Sequence, residues 1–345
     1  MKTILSRFTL IALLALLWTS LASHAQGNLN LYCSSASNEW CQAMATQFAK
    51  TSGVKVAVLH KATGEMMAQI KAEAQNPRGD VWWAGPGDAY LQAGEEGLLE
   101  IYQSPNLTLL HDWAQKEVAR AGHKSVGVYG GIVALAYNTE WLAKKKFAAP
   151  QCWRDLAKPE YKGEIQFSNP TTSGTAYLML ATMVQALGEE EAFKTLRAIH
   201  PNVNQYTRSG VGPMRAVARG ETGIGLTVMH GVASELVAGF PVKAVVPCEG
   251  VGYEIASMGL LKGARNMENA KKFYDWALTA DAQKLGFEVK QYPLPSNKSV
   301  PLPPQVTKLS DIKLLDYDFA KFGATAERKR LLDRWQKEVG GSTGK

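Results

Sequence analysis

Residues Val126 to Tyr137 read VGVYGGIVALAY, and this long apolar run organises the rest of the chain. It has the extended character of a buried strand and contains two adjacent glycines, Gly130 and Gly131. Such a run can cross from one lobe of a protein to another. Glu254 to Leu261 is a second apolar run, which predicts the return crossing. Two crossings make the lobes discontinuous in sequence.

On either side of the first crossing, predicted strands alternate with predicted helices. Before it, strands are expected at 28–33, 54–59 and 81–84, and a helix follows each through a turn rich in glycine or hydroxyl residues. This alternation predicts an α/β fold with sheets covered on both faces. We expect a first lobe of residues 26–130 plus 255–345 and a second lobe of residues 131–254.

Length and composition exclude several classes of protein. The chain has 345 residues, more than one ordinary domain needs, and 46% hydrophobic with 20% charged residues is the balance of a folded protein. Disordered, coiled-coil and collagen-like chains are thereby excluded. The net charge of +7 suits a small anionic ligand. Because the basic residues are scattered along the chain, we expect no nucleic-acid partner.

The first 25 residues have the organisation of a signal peptide. Lys2 and Arg7 form a charged start, Phe8 to Leu21 is almost uniformly apolar, and Ser23 to Ala25 offers small residues for cleavage. The apolar run is shorter than the ~20 residues that a membrane-spanning helix needs. We therefore expect export, with a mature chain beginning near Gln26.

Four cysteines are consistent with two disulfide bonds in an exported protein. Four cysteines permit three pairings. A short strand-to-helix loop can bring Cys33 and Cys41 together, and Cys152 with Cys248 follows by elimination. Zinc is the competing interpretation, but there is no C-x-x-C and the histidines lack ligand spacing. We predict no metal and no cofactor.

Hydroxyl residues and glycines recur where predicted helices begin. A helix start offers unpaired backbone N–H groups and the positive end of the helix dipole, while Ser or Thr adds a donor and Gly lets an anion approach. Ligands of open α/β sheets bind at these turns, beyond the carboxyl ends of the strands. Residues 169–177, NPTTSGTAY, form the most specific segment. The predicted ligand-binding residues of this kind are Ser34, Ser35, Thr63, Gly64, Gly85, Thr171, Thr172, Ser173, Gly174, Thr175 and Ser209.

Three further residues could contact a ligand. His230 ends a predicted strand, where a histidine is either a structural group or a ligand contact. Glu254 lies among apolar residues and needs a partner, which could be Arg208 or hydroxyl groups of a ligand. Arg208 could alternatively act as an anion clamp beside Ser209 or be a surface residue. No G-x-S-x-G, H-E-x-x-H or complete G-x-G-x-x-G occurs, so nothing indicates an enzyme.

Several segments together resemble the periplasmic solute-binding proteins of bacterial ABC importers. The resemblance covers almost all of the mature chain and is closest to the branch of ferric-iron, hexose-phosphate and aminoethylphosphonate binders. It implies a type II binding-protein fold, with discontinuous lobes joined by two hinge crossings. The segments that carry it are Thr63–Glu65, Gly79–Trp83, Tyr161–Gly163, Asn169–Ala176, Gly220–Glu221 and Tyr292–Pro295.

Within this branch the chain is most similar to the hexose-phosphate binders. In those proteins a His after the strand and a Glu on the return strand hold the sugar, and His230 and Glu254 match these positions. Gly231 stands where the family has an Asp. The iron binders have two adjacent tyrosines after this strand, whereas residues 228–232 contain none.

The resemblance implies a monomeric periplasmic receptor. It would capture a phosphorylated organic solute, a sugar phosphate, in the cleft between the lobes and deliver it to an inner-membrane ABC permease. Ser35, Thr63–Gly64, Thr172–Thr175 and Ser209 would hold the phosphate. The alternatives are a receptor for 2-aminoethylphosphonate, in which Glu254 would face an ammonium group, or a receptor for ferric iron.

Overall fold

The computed structural model describes residues 27–312 and 314–340. The predicted signal peptide lies outside the described residues. No helix in the described part of the chain combines the length and the apolarity that a membrane crossing requires.

The regular structure of the described residues consists of ten strands, fourteen α-helices and five short 3-10 helices. The strands are β1 (Asn28–Cys33), β2 (Lys55–His60), β3 (Val81–Pro86), β4 (Val126–Asn138), β5 (Ile165–Ser168), β6 (Val203–Thr207), β7 (Ile224–Val228), β8 (Val242–Val245), β9 (Tyr253–Leu260) and β10 (Leu294–Pro295). The helices are α1 (Asn38–Ser52), α2 (Thr63–Ala72), α3 (Asp88–Glu95), α4 (Asp112–Arg120), α5 (Thr139–Lys145), α6 (Gly174–Leu187), α7 (Glu189–Ile199), α8 (Gly212–Ala218), α9 (Met229–Val237), α10 (Met267–Ala277), α11 (Ala280–Gln283), α12 (Leu285–Glu288), α13 (Phe319–Gly323) and α14 (Thr325–Glu338).

The strands join in the order β2-β1-β3-β9-β4-β7-β5-β6, and β4 also pairs with β8 and β10. The pairs of β1 with β2 and β3, and of β5 with β6 and β7, are parallel. The antiparallel strands β4 and β9 lie between these two parallel sets. Each parallel set forms the centre of one lobe, as expected for a two-lobed α/β protein.

Strand β4 is the predicted first crossing. From Val126 to Ile132 it pairs with β9, and from Val133 onward it pairs with β7. Its neighbour β9 is the predicted return crossing, and the two strands place Gly131 opposite Glu254. Both crossings run side by side, which brings residues at their centre to the junction of the lobes.

Two large apolar cores lie on the two sides of this junction. One core contains side chains of β1, β3, α1 and α10, so the helix at 267–277 packs on the first lobe as expected. The other core surrounds β5, α6 and α7 and also contains Phe319 and Trp335 from the C-terminal helices. Burial of these apolar side chains is the main favourable term in folding each lobe.

The C-terminal helices contact both lobes. The Phe322 carbonyl accepts a hydrogen bond from the Tyr177 hydroxyl at 2.6 Å, and Arg330 pairs with Glu189 at 2.6 Å, both in the second lobe. Thr325 contacts Glu95 in the first lobe. The lobe boundaries remain a prediction, and these contacts argue against giving residues 325–338 to the first lobe alone.

Both expected disulfide bonds are present. Cys33 is bonded to Cys41 and Cys152 to Cys248. The first bond ties the end of β1 to α1 and is completely buried. It therefore braces residues 34–37, which connect these two elements.

Candidate functional site

The candidate site is a cleft between the lobes, with a volume of about 900 Å³ including its open mouth. It lies beyond the carboxyl ends of the parallel strands, where ligands of open α/β sheets bind. Most of the predicted residues line it. These are Ser34, Ser35, Thr63, Gly85, Ser173, Gly174, Thr175, Ser209, His230 and Glu254.

The first lobe contributes a group of closely packed hydroxyl residues. Gly85 has a φ of +94°, and a Cβ atom there would lie 2.6 Å from Thr63 Oγ1 and 3.2 Å from Ser34 Cβ. Only glycine allows this close approach, so the turns that contain Ser34, Thr63 and Gly85 pack together on one wall of the cleft. The Trp82 indole N–H donates to Ser34 Oγ at 3.0 Å and orients that hydroxyl. Trp82 therefore supports the wall from behind instead of lining the cleft.

The second lobe contributes a matching group. Ser173 Oγ accepts a hydrogen bond from the Ala176 N–H at 3.3 Å and so caps helix α6. A Cβ atom on Gly210 would lie 2.8 Å from Thr175 Oγ1 and 3.2 Å from Ser173 Oγ. The hydroxyl groups of the two lobes thus line one shared cleft, together with the first residues of several helices. Unpaired N–H groups at helix starts favour an anion there.

The crossing strands form the floor of the cleft. A Cβ atom on Gly131 would lie 2.7 Å from Glu254 Oε1 and 3.1 Å from His230 Cε1, so this glycine makes room for both side chains. The Tyr129 ring lies 5.9 Å from the His230 ring, centroid to centroid, in an edge-on arrangement. All three side chains are buried. Gly131 in β4 therefore allows the side chains of His230 and Glu254 to pack closely at the floor of the cleft.

Burial makes this floor uncharged at neutral pH. It lowers the pKa of His230 to about 4, so the imidazole is neutral, and among the described residues its Nδ1 has no hydrogen-bond partner. Burial, and to a lesser extent the Asp88 carboxylate, raises the pKa of Glu254 to about 8, so the acid is protonated. Neutral donors and acceptors of this kind suit hydroxyl groups of a ligand.

The raised pKa of Glu254 predicts a pH-dependent stability. Between the ordinary value of 4.5 and about 8, the folded chain holds a proton that the unfolded chain has released. Stability therefore falls as pH rises through this range. His230 acts oppositely between about 4 and 6.5, because there the unfolded chain binds the extra proton. The loss of folding stability due to Glu254 is thus expected between pH 6.5 and 8, on the order of 1–2 kcal/mol.

Urea unfolding of the ligand-free protein at pH 6.5 and 8 would measure this loss. Glu254→Gln should lose less stability over this interval than the wild type, because the amide does not titrate. Burial also raises the pKa of Glu117, to about 7, so some loss remains in the variant. Glu160→Gln, at an exposed position, is the control. Equal losses in wild type and Glu254→Gln would contradict the assignment.

Several cleft residues were not predicted. Tyr129 could have been suspected, because its hydroxyl needs a partner within an otherwise apolar strand. Glu39, Arg215 and Glu235 also line the cleft and bring charges from both lobes to it. Hydrogen bonds from its own backbone N–H and from the Ser37 hydroxyl lower the pKa of Glu39, and nearby Arg215 lowers it to a lesser extent. No local pattern distinguishes these three from ordinary surface charges of a helix.

Four predicted residues do not line the cleft: Gly64, Thr171, Thr172 and Arg208. Gly64 and Thr172 instead join the lobes beside it, since the Gly64 N–H donates to the Thr172 carbonyl at 2.8 Å. Arg208 pairs with Glu65 across the same junction, with Nε 2.7 Å from Oε1. Its side chain is 83% exposed, so Arg208 is a surface clamp between lobes and not the partner of Glu254.

The described residues contain one group of three side chains spaced for a metal ion, Cys152, Cys248 and Glu249. Both sulfur atoms are bonded to each other, so they cannot act as thiolate ligands.

Comparisons with known proteins agree with this geometry. A profile of the family described as bacterial extracellular solute-binding protein matches residues 43–313. An uncharacterized protein of Haemophilus influenzae is 41% identical over 320 residues, 92% of each chain. A putative 2-aminoethylphosphonate-binding periplasmic protein of Salmonella typhimurium is 25% identical over 293 residues, 81% of each chain.

Solved structures extend the comparison. The periplasmic binding protein AfuA from Actinobacillus pleuropneumoniae, with exogenous fructose 6-phosphate bound, is 43% identical with a TM-score of 0.89. The match covers 91% of this chain and 99% of AfuA. Iron-bound HitA from Pseudomonas aeruginosa is 20% identical with a TM-score of 0.74, covering 89% of this chain and 98% of HitA. The likeness to HitA shows a shared fold alone.

Proposed function

Because the chain belongs to the family of bacterial extracellular solute-binding proteins, we propose that it is the periplasmic receptor of an ABC importer for a phosphorylated organic solute, a sugar phosphate. As a member of this family it is a binding protein and not an enzyme. The observation that carries the proposal is the cleft itself. Hydroxyl groups and helix starts of both lobes line it, above an uncharged floor of His230 and Glu254.

The walls suit the phosphate end of such a ligand. Ser34 and Thr63 of the first lobe and Ser173 and Thr175 of the second offer hydroxyl donors beside helix starts. Fixed dipoles of this kind stabilise a dianion without requiring lysines. The charged side chains of the cleft then remain available for the organic part of the ligand.

The floor suits the sugar end. The protonated Glu254 can donate one hydrogen bond and accept others, and the neutral imidazole of His230 can donate from one nitrogen and accept at the other. Sugar hydroxyls are both donors and acceptors, so they can satisfy these buried groups. AfuA, whose structure holds fructose 6-phosphate, is the similar protein that supports this assignment most directly.

A binding screen tests the proposal. Fructose 6-phosphate should raise the melting temperature of the purified mature protein and appear as a bound mass in native mass spectrometry. Inorganic phosphate should bind more weakly, because it leaves the floor unpaired. Sugar without phosphate should bind least, because the dipoles at the walls stay uncompensated.

The panel includes 2-aminoethylphosphonate and Fe³⁺ as competing ligands. The carboxylates of Glu39 and Glu235 in the cleft favour the first of these, since they could pair with an ammonium group. Tighter binding of 2-aminoethylphosphonate than of any sugar phosphate would replace the proposed ligand. Stabilisation by Fe³⁺ alone, reversed by a chelator, would end the organophosphate assignment.

A further inference from the structure

Helix α14 contacts both lobes. At its start, the backbone N–H and the hydroxyl of Thr325 both donate to the Glu95 carboxylate, each at 2.7 Å. Glu95 is the last residue of α3 in the first lobe. Nine residues later, Arg334 forms ion pairs with Glu189 and Glu190 of the second lobe, both at 2.7 Å. The helix is therefore held to both lobes.

Arg328 lies between these anchors and is buried, with 5% of its surface exposed. Its Nη1 is 3.7 Å from Asp88 Oδ2, in the first lobe. Its Cζ is 3.8 Å from the centroid of the Tyr177 ring, in the second lobe. Asp88 and Tyr177 are themselves buried. One guanidinium group thus contacts an acidic side chain in one lobe and an aromatic face in the other.

Both contact residues follow shortly after residues that line the cleft. Asp88 begins α3 and follows Gly85 and Pro86, which line the cleft. Tyr177 is in the first turn of α6, whose first residue Gly174 also lines the cleft. Because a helical turn is rigid, the position of each ligand-facing turn is coupled to the residue that contacts Arg328. If the lobes separated, Arg328 could not keep both contacts.

We propose that Arg328 is a positioning residue for ligand capture, which holds the ligand-facing turns of the two lobes together by contacting Asp88 and Tyr177 at once. The role in capture rests on the proposed function of the cleft. The effect on the lobes does not, and it can be measured without a ligand. A buried Arg–Asp pair with a merely structural role would change stability but not the separation of the lobes.

The first experiment measures the lobes in the ligand-free protein. Small-angle scattering gives the radius of gyration, and hydrogen exchange follows the Gly64 N–H, which donates to the Thr172 carbonyl across the junction. Arg328→Met should increase the radius of gyration and speed exchange at Gly64 about tenfold, a change that corresponds to about 1.4 kcal/mol. Arg330→Met, on the same helix, loses ion pairs to Glu189 of the second lobe and to Glu327 of its own helix, and it should leave both readouts unchanged because Arg334 still pairs with Glu189.

A second pair of variants covers the case in which Arg328→Met does not fold. Tyr177→Leu keeps the Asp88 contact and removes the aromatic face, so Gly64 should again exchange faster. Tyr177→Phe keeps the face and removes the hydrogen bond to the Phe322 carbonyl, so the lobes should stay as in the wild type. Wild-type scattering and wild-type exchange at Gly64 in Tyr177→Leu would overturn the proposal.

Fructose 6-phosphate then serves as the probe for capture. Its dissociation should be about tenfold faster from Arg328→Met or Tyr177→Leu than from the wild type, with a smaller change in association, because the lost contacts belong to the closed arrangement. If the wild type does not bind fructose 6-phosphate, the proposed ligand is wrong. The ligand-free measurements still decide the role of Arg328 in that case.

Discussion

Replacing Gly64 by alanine is expected to weaken ligand binding about 5- to 150-fold while leaving the fold intact. A Cβ atom there would overlap the Thr171 carbonyl oxygen and lie 2.9 Å from Thr172 Cα, both in the other lobe. These are backbone atoms, which cannot give way as a flexible side chain would. Overpacking of this kind costs about 1–3 kcal/mol, which corresponds to a loss of affinity of about 5- to 150-fold.

Gly64→Ala should not destabilise the first lobe itself. Gly64 is the second residue of helix α2 and lacks a positive φ, so alanine fits its backbone. Alanine in a helix is more stable than glycine by up to about 1 kcal/mol. The melting temperature without ligand should therefore stay level or rise. Binding of fructose 6-phosphate by calorimetry would give the affinity.

Two further glycine variants sharpen this test. Gly174→Ala, on the second lobe, would place a Cβ atom 2.9 Å from Pro86 Cδ and 3.1 Å from Thr63 Cβ, and should weaken binding in the same way. Gly94→Ala is the control, since its nearest new contact is the flexible Lys124 side chain at 3.2 Å. Unchanged affinity in both Gly64→Ala and Gly174→Ala would show that ligand binding does not need this contact between the lobes.

Removing the Glu254 side chain should have the second large effect, a loss of about 30- to 150-fold in affinity for fructose 6-phosphate. Two lost hydrogen bonds at a buried site, each worth roughly 1–1.5 kcal/mol, account for this magnitude. The binding of inorganic phosphate should change little in Glu254→Ala, because Glu254 lies at the floor and the phosphate is assigned to the walls.

Glu254→Gln separates the protonated acid from the ionised one. Burial raises the pKa of Glu254 to about 8, so at pH 7 the neutral amide resembles the form that we expect to bind the ligand. Glu254→Gln should then retain most of the affinity that Glu254→Ala loses. A loss as large in the Gln variant as in the Ala variant would indicate that the ligand requires a carboxylate there, as an ammonium compound would.

Much of the architecture can be predicted from the sequence because it depends on local sequence patterns. The apolar run at 126–137 predicts the crossing strand, and the structure extends it by one residue to Asn138. The Cys33–Cys41 bond follows from a short loop, and the hydroxyl groups around Ser173 follow from helix capping. Each of these features depends on residues close together in sequence.

The sequence does not determine which distant segments contact one another. It allows Arg208 to be a ligand-binding residue, the partner of Glu254 or a surface residue, and the structure pairs it with Glu65, 143 residues away, outside the cleft. Tyr129 at the floor of the cleft and Arg328 between the lobes likewise owe their positions to contacts with distant segments. A charged residue on a helix looks the same in sequence whether it faces solvent, the cleft or another lobe.

Periodicity, capping and cysteine spacing are properties of neighbouring residues, and they account for the α/β elements, the two crossings, the hydroxyl turns and the shorter disulfide loop. The shared cleft, the neutral state of His230 and Glu254, and the close contact of Gly64 with Thr172 arise only when the lobes are packed together. Burial, which shifts those pKa values, and fit between distant backbones are properties of three-dimensional packing, and no short segment encodes them.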